Sequence, residues 1–327
     1  MRWRFCMLLA KESPRRDSTA LNAQRPTVSG MRACLSTVAV ALIAAGCASG
    51  GTAESPVPGV TSILVAKHGR VVRSSYYGGL KATDRVPIFS ITKSVVSALV
   101  GIALAEGQLE SVDERVADFI AGTNPRIRIR HLLSMTAGYG RQLNFGETDP
   151  SALAARPLVN RPGTTFNYDS GSSDLLATII ARVTGVSAAD YARQHLFRPM
   201  GIRNVQWPGS HGGSGLLLRP RQLLAFGQLY LDQGVWKGRT LIPAGWVGTS
   251  TRTHIRVAPR QGVTHGFGYD WWVETSEQPF FAAHGYLGQA LVVYPGLDEV
   301  VLVTSSREDY GGTLGLARRV ALKYAQM

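Results

Sequence analysis

From residue 62 apolar and polar positions are organised in two short runs. Ser62-Ile63-Leu64-Val65-Ala66 leads into Lys67-His68-Gly69-Arg70, and Val71-Val72-Arg73-Ser74-Ser75-Tyr76-Tyr77 follows. Two such runs about a glycine-containing turn predict a β-hairpin with its tip at His68-Gly69. The period then changes. Val96, Leu99, Val100, Ala103 and Leu104 recur at helical spacing and Gly107 stands where a C′ glycine ends a helix, so 95–106 is a predicted helix. Helical or loop segments follow over 111–120, 129–136, 173–184, 187–197 and 219–233; the last carries Leu223, Leu224, Phe226, Leu229 and Tyr230 on one side and stops before Gly234. From 266 the pattern returns to strands, at 268–273, 280–283, 289–294 and 299–304, with Pro295-Gly296-Leu297-Asp298 turning between the last two. A helix over 312–326 closes the chain. This order predicts an α/β fold of the α+β kind: an antiparallel sheet flanked by helices, plus an inserted helical domain. The first hairpin joins the C-terminal strands in one sheet (59–80 and 260–327), the helical part spans 81–259, and a cleft lies between them. There is no internal repeat.

The region before residue 59 reads differently. Residues 1–30 show no helical or strand period and are expected to be a non-native extension from an over-extended reading frame, with Met31 as the true start. Over 31–46, Met31-Arg32-Ala33-Cys34 opens an apolar run, Leu35 to Ala45, closed by small residues, the pattern of a secretory signal. The run is shorter than the ~20 residues of a membrane-spanning helix. The small residue-Gly46-Cys47 sequence resembles a bacterial lipoprotein lipobox, which implies cleavage before Cys47, lipid on its thiol, and a membrane partner reached through that lipid. The expected location is therefore exported and cell-envelope, lipid-anchored on the periplasmic or outer face; a plain secretory signal and an uncleaved anchor are the alternatives. Residues 47–58 read as a flexible tether and 59–327 as the globular domain.

Composition narrows the chemistry. With 45% apolar and 17% charged residues the chain is globular. The net charge of +13 suggests a nucleic-acid or membrane surface, yet seven basic residues against two acids fall in the first 46 positions. Elsewhere the basic residues are scattered; Arg126, Arg128 and Arg130 alternate with Ile127 and Ile129, as in a short strand or loop, so no nucleic-acid partner is expected. Cys6, Cys34 and Cys47 all precede the globular part, which excludes a disulfide framework, a cysteine metal site and a cysteine nucleophile there. The seven histidines are dispersed, so no metal and no cofactor is expected.

Three stretches carry candidate chemistry. In Phe89-Ser90-Ile91-Thr92-Lys93-Ser94, Ser90 and Lys93 are three apart at a helix start, one turn apart on one face. Pro87 biases the chain away from helix just upstream. A hydroxyl becomes a nucleophile when a base takes its proton, and a buried amine can be that base. The unpaired N–H groups of a helix N-terminus also suit an oxyanion. The plainer reading is an N-cap serine and a solvated lysine. In Thr165-Phe166-Asn167-Tyr168-Asp169-Ser170-Gly171-Ser172-Ser173, Tyr168 is a candidate proton carrier or a packed loop aromatic, with Ser172 or Ser173 the expected N-cap of the next helix. In Ala283-His284-Gly285-Tyr286-Leu287-Gly288-Gln289, paired glycines permit close backbone approach, and an edge N–H there can complete an oxyanion hole with that of Ser90. Of Trp271 and Trp272, one is expected in the core and the other on the cleft.

Together these stretches resemble the serine β-lactamase and penicillin-recognising hydrolase superfamily, in its class C-like branch, which includes β-lactamase-like esterases, D-aminopeptidases and 6-aminohexanoate-oligomer hydrolases. His131-Leu132-Leu133-Ser134-Met135-Thr136-Ala137-Gly138, Arg161-Pro162-Gly163 through Leu175-Leu176, Pro199-Met200-Gly201 and Gly227 to Leu231 are similar to further family segments, so the likeness spans roughly 60–325. It implies a β-lactamase/DD-peptidase-like fold. It also implies Ser90 as acylated nucleophile, Lys93 as its base or base-tuner, Tyr168 as proton shuttle, and the N–H groups of Ser90 and Tyr286 as oxyanion hole, with Ser170, His284 and Gly285 beside the substrate. Two departures stand out. The family's class C β-lactamases read Tyr-x-Asn where this chain reads Tyr168-Asp169-Ser170, and Lys-Thr-Gly where it reads His284-Gly285-Tyr286. Loss of that lysine removes a cation for a substrate carboxylate, which His284 could partly replace. The resemblance implies a serine hydrolase cleaving a small-molecule or peptide ester or amide, a range that includes β-lactams and cell-wall peptides, through an acyl-enzyme. The alternatives are a weak class C-like β-lactamase or DD-peptidase, and a non-catalytic penicillin-binding-like module; the presence of Ser90, Lys93 and Tyr168 argues against the last.

Overall fold

Strands with apolar residues on both faces must be covered on both sides. Here β11 (Gln289–Tyr294) and β12 (Glu299–Ser305) are buried along their whole length. The computed structural model describes residues 57–140, 149–258, 266–275, 277–307 and 310–325. The expected extension, signal and lipidated Cys47, and all but the last two residues of the tether, lie outside these described residues.

The first hairpin is β1 (Val60–Lys67) and β2 (Arg70–Tyr76), turning at His68-Gly69. Lys67 Nζ reaches the Tyr324 carbonyl, and β1 pairs antiparallel with β12. The intervening chain holds β3 (Val86–Pro87), α1 (Ile91–Ala105), α2 (Val116–Phe119), α3 (Ile129–Leu133), α4 (Pro150–Ala154), α5 (Ser170–Thr184) and α6 (Ala188–Ala192), which continues as a π-helical turn to Phe197. It goes on through β4 (Leu217–Leu218), α7 (Pro220–Leu231), β5 (Val235–Trp236), β6 (Arg239–Thr240) and α8 (Ala244–Ser250). Then come β7 (Ile255–Arg256), β8 (Gly266–Phe267), β9 (Trp272–Glu274), β10 (Phe280–Gly285), β11, β12 and α9 (Tyr310–Ala325). The main sheet has eight antiparallel strands in the order β2-β1-β12-β11-β10-β9-β8-β7. The joining of the first hairpin to the C-terminal strands is thus as expected, although the sheet reaches back to residue 255, before the expected boundary at 260.

Alternation along the strands separates two cores. Leu64, Ala66, Leu291, Val300 and Leu302 pack with α1, α5 and α7, whereas Ile63, Val65, Val292, Val301 and Val303 pack with Leu314, Ala317 and Ala321 of α9. Helix α1 is buried from Ile91 to Ala103 and runs through the larger core, which carries its N-terminus to the end of β10.

Two local expectations are corrected. The stretch 268–273 is not one strand: β8 and β9 form a hairpin around it, and Asp270 in the turn has φ +59°, a left-handed conformation that aspartate tolerates. The N-cap of α5 is Asp169 rather than Ser172 or Ser173. Its carboxylate accepts from the Gly171 and Ser172 N–H groups, and a carboxylate at a helix N-terminus outcompetes a hydroxyl three or four residues on.

Candidate active site

Ser90 is the N-cap of α1, reached through Phe89, whose φ is +48°. This left-handed residue turns the chain sharply, and the Thr92 N–H closes the turn on the Phe89 carbonyl at 3.0 Å. Lys93 lies one turn into the helix and is 2% exposed. Its Nζ meets Ser90 Oγ at 3.1 Å, Ser170 Oγ at 3.2 Å and the Gly213 carbonyl at 2.7 Å, so three groups hold an amine that solvent does not reach. The solvated-lysine reading therefore falls.

The segment carrying Tyr168 is fastened to the stretch that follows α3. The Gly163 N–H donates to the Thr136 carbonyl at 2.7 Å, that of Asn167 to Met135 at 2.9 Å, and that of Val159 to Gly138 at 2.8 Å. Beyond it, Arg156 makes a two-pronged ion pair with Asp169 at 2.8 and 2.9 Å and lies over the Tyr139 ring. Tyr168 is thereby fixed with Lys93 Nζ 5.2 Å from its ring centroid, and its ring stacks on Trp272 at 6.0 Å. Trp271 is in the core, as expected of one of the two tryptophans.

Ser90, Lys93, Ser94, Tyr168, Phe267, Asp270, Trp272, Ala283 and His284 line one pocket. The end of β10 closes it: a Cβ on Gly285 would overlap the Ile88 carbonyl, so glycine lets the sheet edge touch the nucleophile turn. That contact brings Tyr286 against Phe89, with ring centroids 5.6 Å apart. Ser170 meets the site through Lys93, its hydroxyl 3.2 Å from Nζ. His284 stacks on Trp272, and its buried Nε2 meets no partner among the described residues. Burial pushes its imidazole down to about 4, which disfavours the cation that would stand in for the missing lysine. Among the described residues no group of three or more His, Cys, Asp or Glu side chains is placed to hold a metal ion.

A family model described as Beta-lactamase matches residues 45–326. The chain belongs to the beta-lactamase family. As a member it is a serine hydrolase with the family's mixed α/β, penicillin-binding-protein-like fold. Its relatives include the 6-aminohexanoate-dimer hydrolase of Paenarthrobacter ureafaciens, 25% identical over 286 residues that cover 76% of this chain and 73% of the relative. The fold is similar to that of the octameric penicillin-binding protein homologue from Pyrococcus abyssi, with TM-score 0.70, 20% identity, and 82% and 74% of the two chains covered. It is also similar to that of a beta-lactamase from Mycobacterium bovis, with TM-score 0.66, 20% identity, and 83% and 97% covered.

In this family member the site holds residues that the sequence pattern did not single out. Gly213 contributes through its backbone, and its own N–H donates to Asp174 at 2.9 Å. Arg156 acts through Asp169. Asp270 enters from the β8–β9 turn; the signal for it was a lone acid inside the aromatic run Gly268-Tyr269-Asp270-Trp271-Trp272-Val273, where acids are seldom buried without a reason.

Proposed function

We propose that the protein cleaves an ester or amide through a covalent acyl-enzyme on Ser90, with Lys93 and Tyr168 as its acid/base groups. The observation that carries this reading is the 3.1 Å contact between Lys93 Nζ and Ser90 Oγ in a buried pocket. Ser90 Oγ attacks the carbonyl carbon as Lys93 takes the hydroxyl proton. The oxyanion forms beside the N-terminus of α1, where the Ser90 and Tyr286 N–H groups would receive it. Tyr168 relays the proton to the leaving group, and a water then repeats the sequence in reverse to release the acid.

The lining supports an uncharged acyl group. Phe267, Trp272 and Tyr168 are aromatic, burial disfavours the charged form of His284, and among the described lining residues Lys93 is the one lysine or arginine. On this reading a substrate carboxylate finds no dedicated partner, and β-lactams are poor substrates. We propose further that the enzyme works in the cell envelope, lipid-anchored through Cys47, a reading supported by the lipobox-like sequence that ends there.

Intact mass of the full chain, followed over time with a small activated ester and separately with a penicillin, tests the reading. The expected result is a transient adduct with the ester that Ser90→Ala lacks, and little or none with penicillin. A persistent penicillin adduct points to a DD-peptidase-like role, and one that clears with turnover to a β-lactamase. Ester hydrolysis that survives Ser90→Ala removes the acyl-enzyme on Ser90.

A further inference from the structure

Helix α9 packs on the face of the sheet that carries Ile63, Val65, Val301 and Val303, and its outward side presents Arg319, Leu322 and Lys323 to solvent. Basic side chains flank it on both edges. On the hairpin side, Lys67 continues the alternation of Ile63 and Val65, and its Nζ reaches the Tyr324 carbonyl. Arg70 stands opposite Lys67 and Arg73 opposite Val65. Arg73 donates to the Tyr77 hydroxyl at 3.0 Å, and Tyr77 belongs to the same core as Val65. On the far side, the Arg318 guanidinium lies 5.9 Å from the centre of the Phe280 ring. β1, β2 and α9 contain no aspartate or glutamate. At the Lys67 end, Glu299 is fully buried and Asp298 is paired with His68 at 2.7 Å. Six cations thus share one face, with Leu322, 51% exposed, among them.

We infer that this face docks on an anionic lipid surface. A basic cluster of this size without opposing acids is the charge pattern that anionic headgroups attract, and each basic residue held near such a surface strengthens binding about fivefold. Leu322 favours lipid over a nucleic acid. An exposed leucine ringed by basic side chains can enter the apolar boundary beneath the headgroups, whereas a duplex backbone offers it only phosphate and sugar. The path of the chain agrees. Val57 packs against the core that α9 covers, so the chain joins the domain on this side of the sheet. Between Cys47 and Val57 an extended chain spans at most about 35 Å, and a lipid on Cys47 would hold a membrane within that reach of Val57. The inference rests on the envelope placement proposed above, and adds to it a second contact made by the folded domain itself.

The test uses the full chain carrying Cys47→Ser, so that no lipid anchors it, with vesicles of phosphatidylcholine alone or mixed with phosphatidylglycerol. The expected result is binding to the mixed vesicles that falls as salt is raised, and that the pair Arg319→Glu and Lys323→Glu weakens by at least about tenfold. The pair Lys237→Glu and Arg239→Glu makes the same change of charge on the exposed β5–β6 hairpin, where Trp236 packs with the core on the other side of the sheet. It should keep the unaltered affinity to within about threefold. The mixed vesicles should also slow acetylation of Lys323 relative to Lys237. Equal losses in the two pairs assign the binding to net charge, and no loss in either assigns it to residues outside α9; each overturns the docking face. Duplex DNA that protects Lys323 as strongly as the mixed vesicles at equal salt overturns lipid as the partner. The anchor is judged separately, by intact mass of the unaltered chain purified from bacterial membranes: Cys47 without lipid removes the anchor, while the vesicle result still decides the face.

Discussion

Lys93 and Gly213 are joined by a 2.7 Å hydrogen bond across 120 positions of sequence. The loop that provides this carbonyl is seated by glycine: a Cβ on Gly212 would overlap the Ser173 carbonyl at the start of α5. Gly212→Ala must therefore lift the loop from α5 and draw Gly213 from Lys93. The expected outcome is a loss of about 1–3 kcal/mol in urea unfolding together with slower ester hydrolysis. Wild-type values for both would show that the loop does not hold the lysine.

Lys93→Met keeps the length and apolar stem of the side chain and removes the amine. Hydrolysis of an activated ester should fall by about 10²–10⁴, the usual contribution of a positioned acid/base group. The Gly213 carbonyl is left without its donor, so stability should fall by about 1–3 kcal/mol as well. Steady-state kinetics beside a thermal melt separates the two effects.

Arg156 and Asp169 form an ion pair whose acid is almost wholly enclosed. Arg156→Leu leaves that carboxylate with the N–H groups of α5 and the Ser172 hydroxyl but no counter-charge. Breaking such a pair costs about 3–5 kcal/mol. Because Asp169 follows Tyr168 directly, the rate should fall as well, and urea denaturation with ester kinetics reads both.

Glu299 is fully buried in β12, and its carboxyl oxygens meet no partner among the described residues. Burial raises its carboxyl from 4.5 to about 7, against the attraction of Lys67. Between these values the folded chain holds a proton that the unfolded chain has released, so its contribution to stability is present at low pH and lost as pH rises through about 7. Glu299→Gln should therefore be more stable than wild type by more than about 1 kcal/mol above neutrality, with the advantage fading below pH 4.5. Equilibrium unfolding at several pH values checks it. His131, which burial lowers to about 4, acts in the opposite sense: its contribution is lost as pH falls from 6.5 toward 4.

What was legible in the sequence follows from the distance over which each feature is encoded. Ser90 and Lys93 sit on one helical turn, and the strands β10 to β12 are continuous apolar runs, so local spacing sufficed. The α5 cap was misplaced because three candidate caps lie within five residues and the choice depends on Arg156, which no periodicity reveals. The turn at Asp270 was hidden because a left-handed aspartate leaves the alternation of Tyr269, Trp271 and Val273 intact. Gly213 was invisible in principle, since it contributes backbone atoms, and every residue type carries those.

The pairing of β1 with β12 has a consequence for biogenesis. The first strand of the sheet to leave the ribosome waits for the last, and Ser62 meets Thr304 only when 242 positions have been bridged. Such long-range closure is slow, and until it happens the inner strands present bare apolar edges. Nascent chains halted before β12 should accordingly be sensitive to protease throughout the sheet, and should become resistant as one unit once that strand is released.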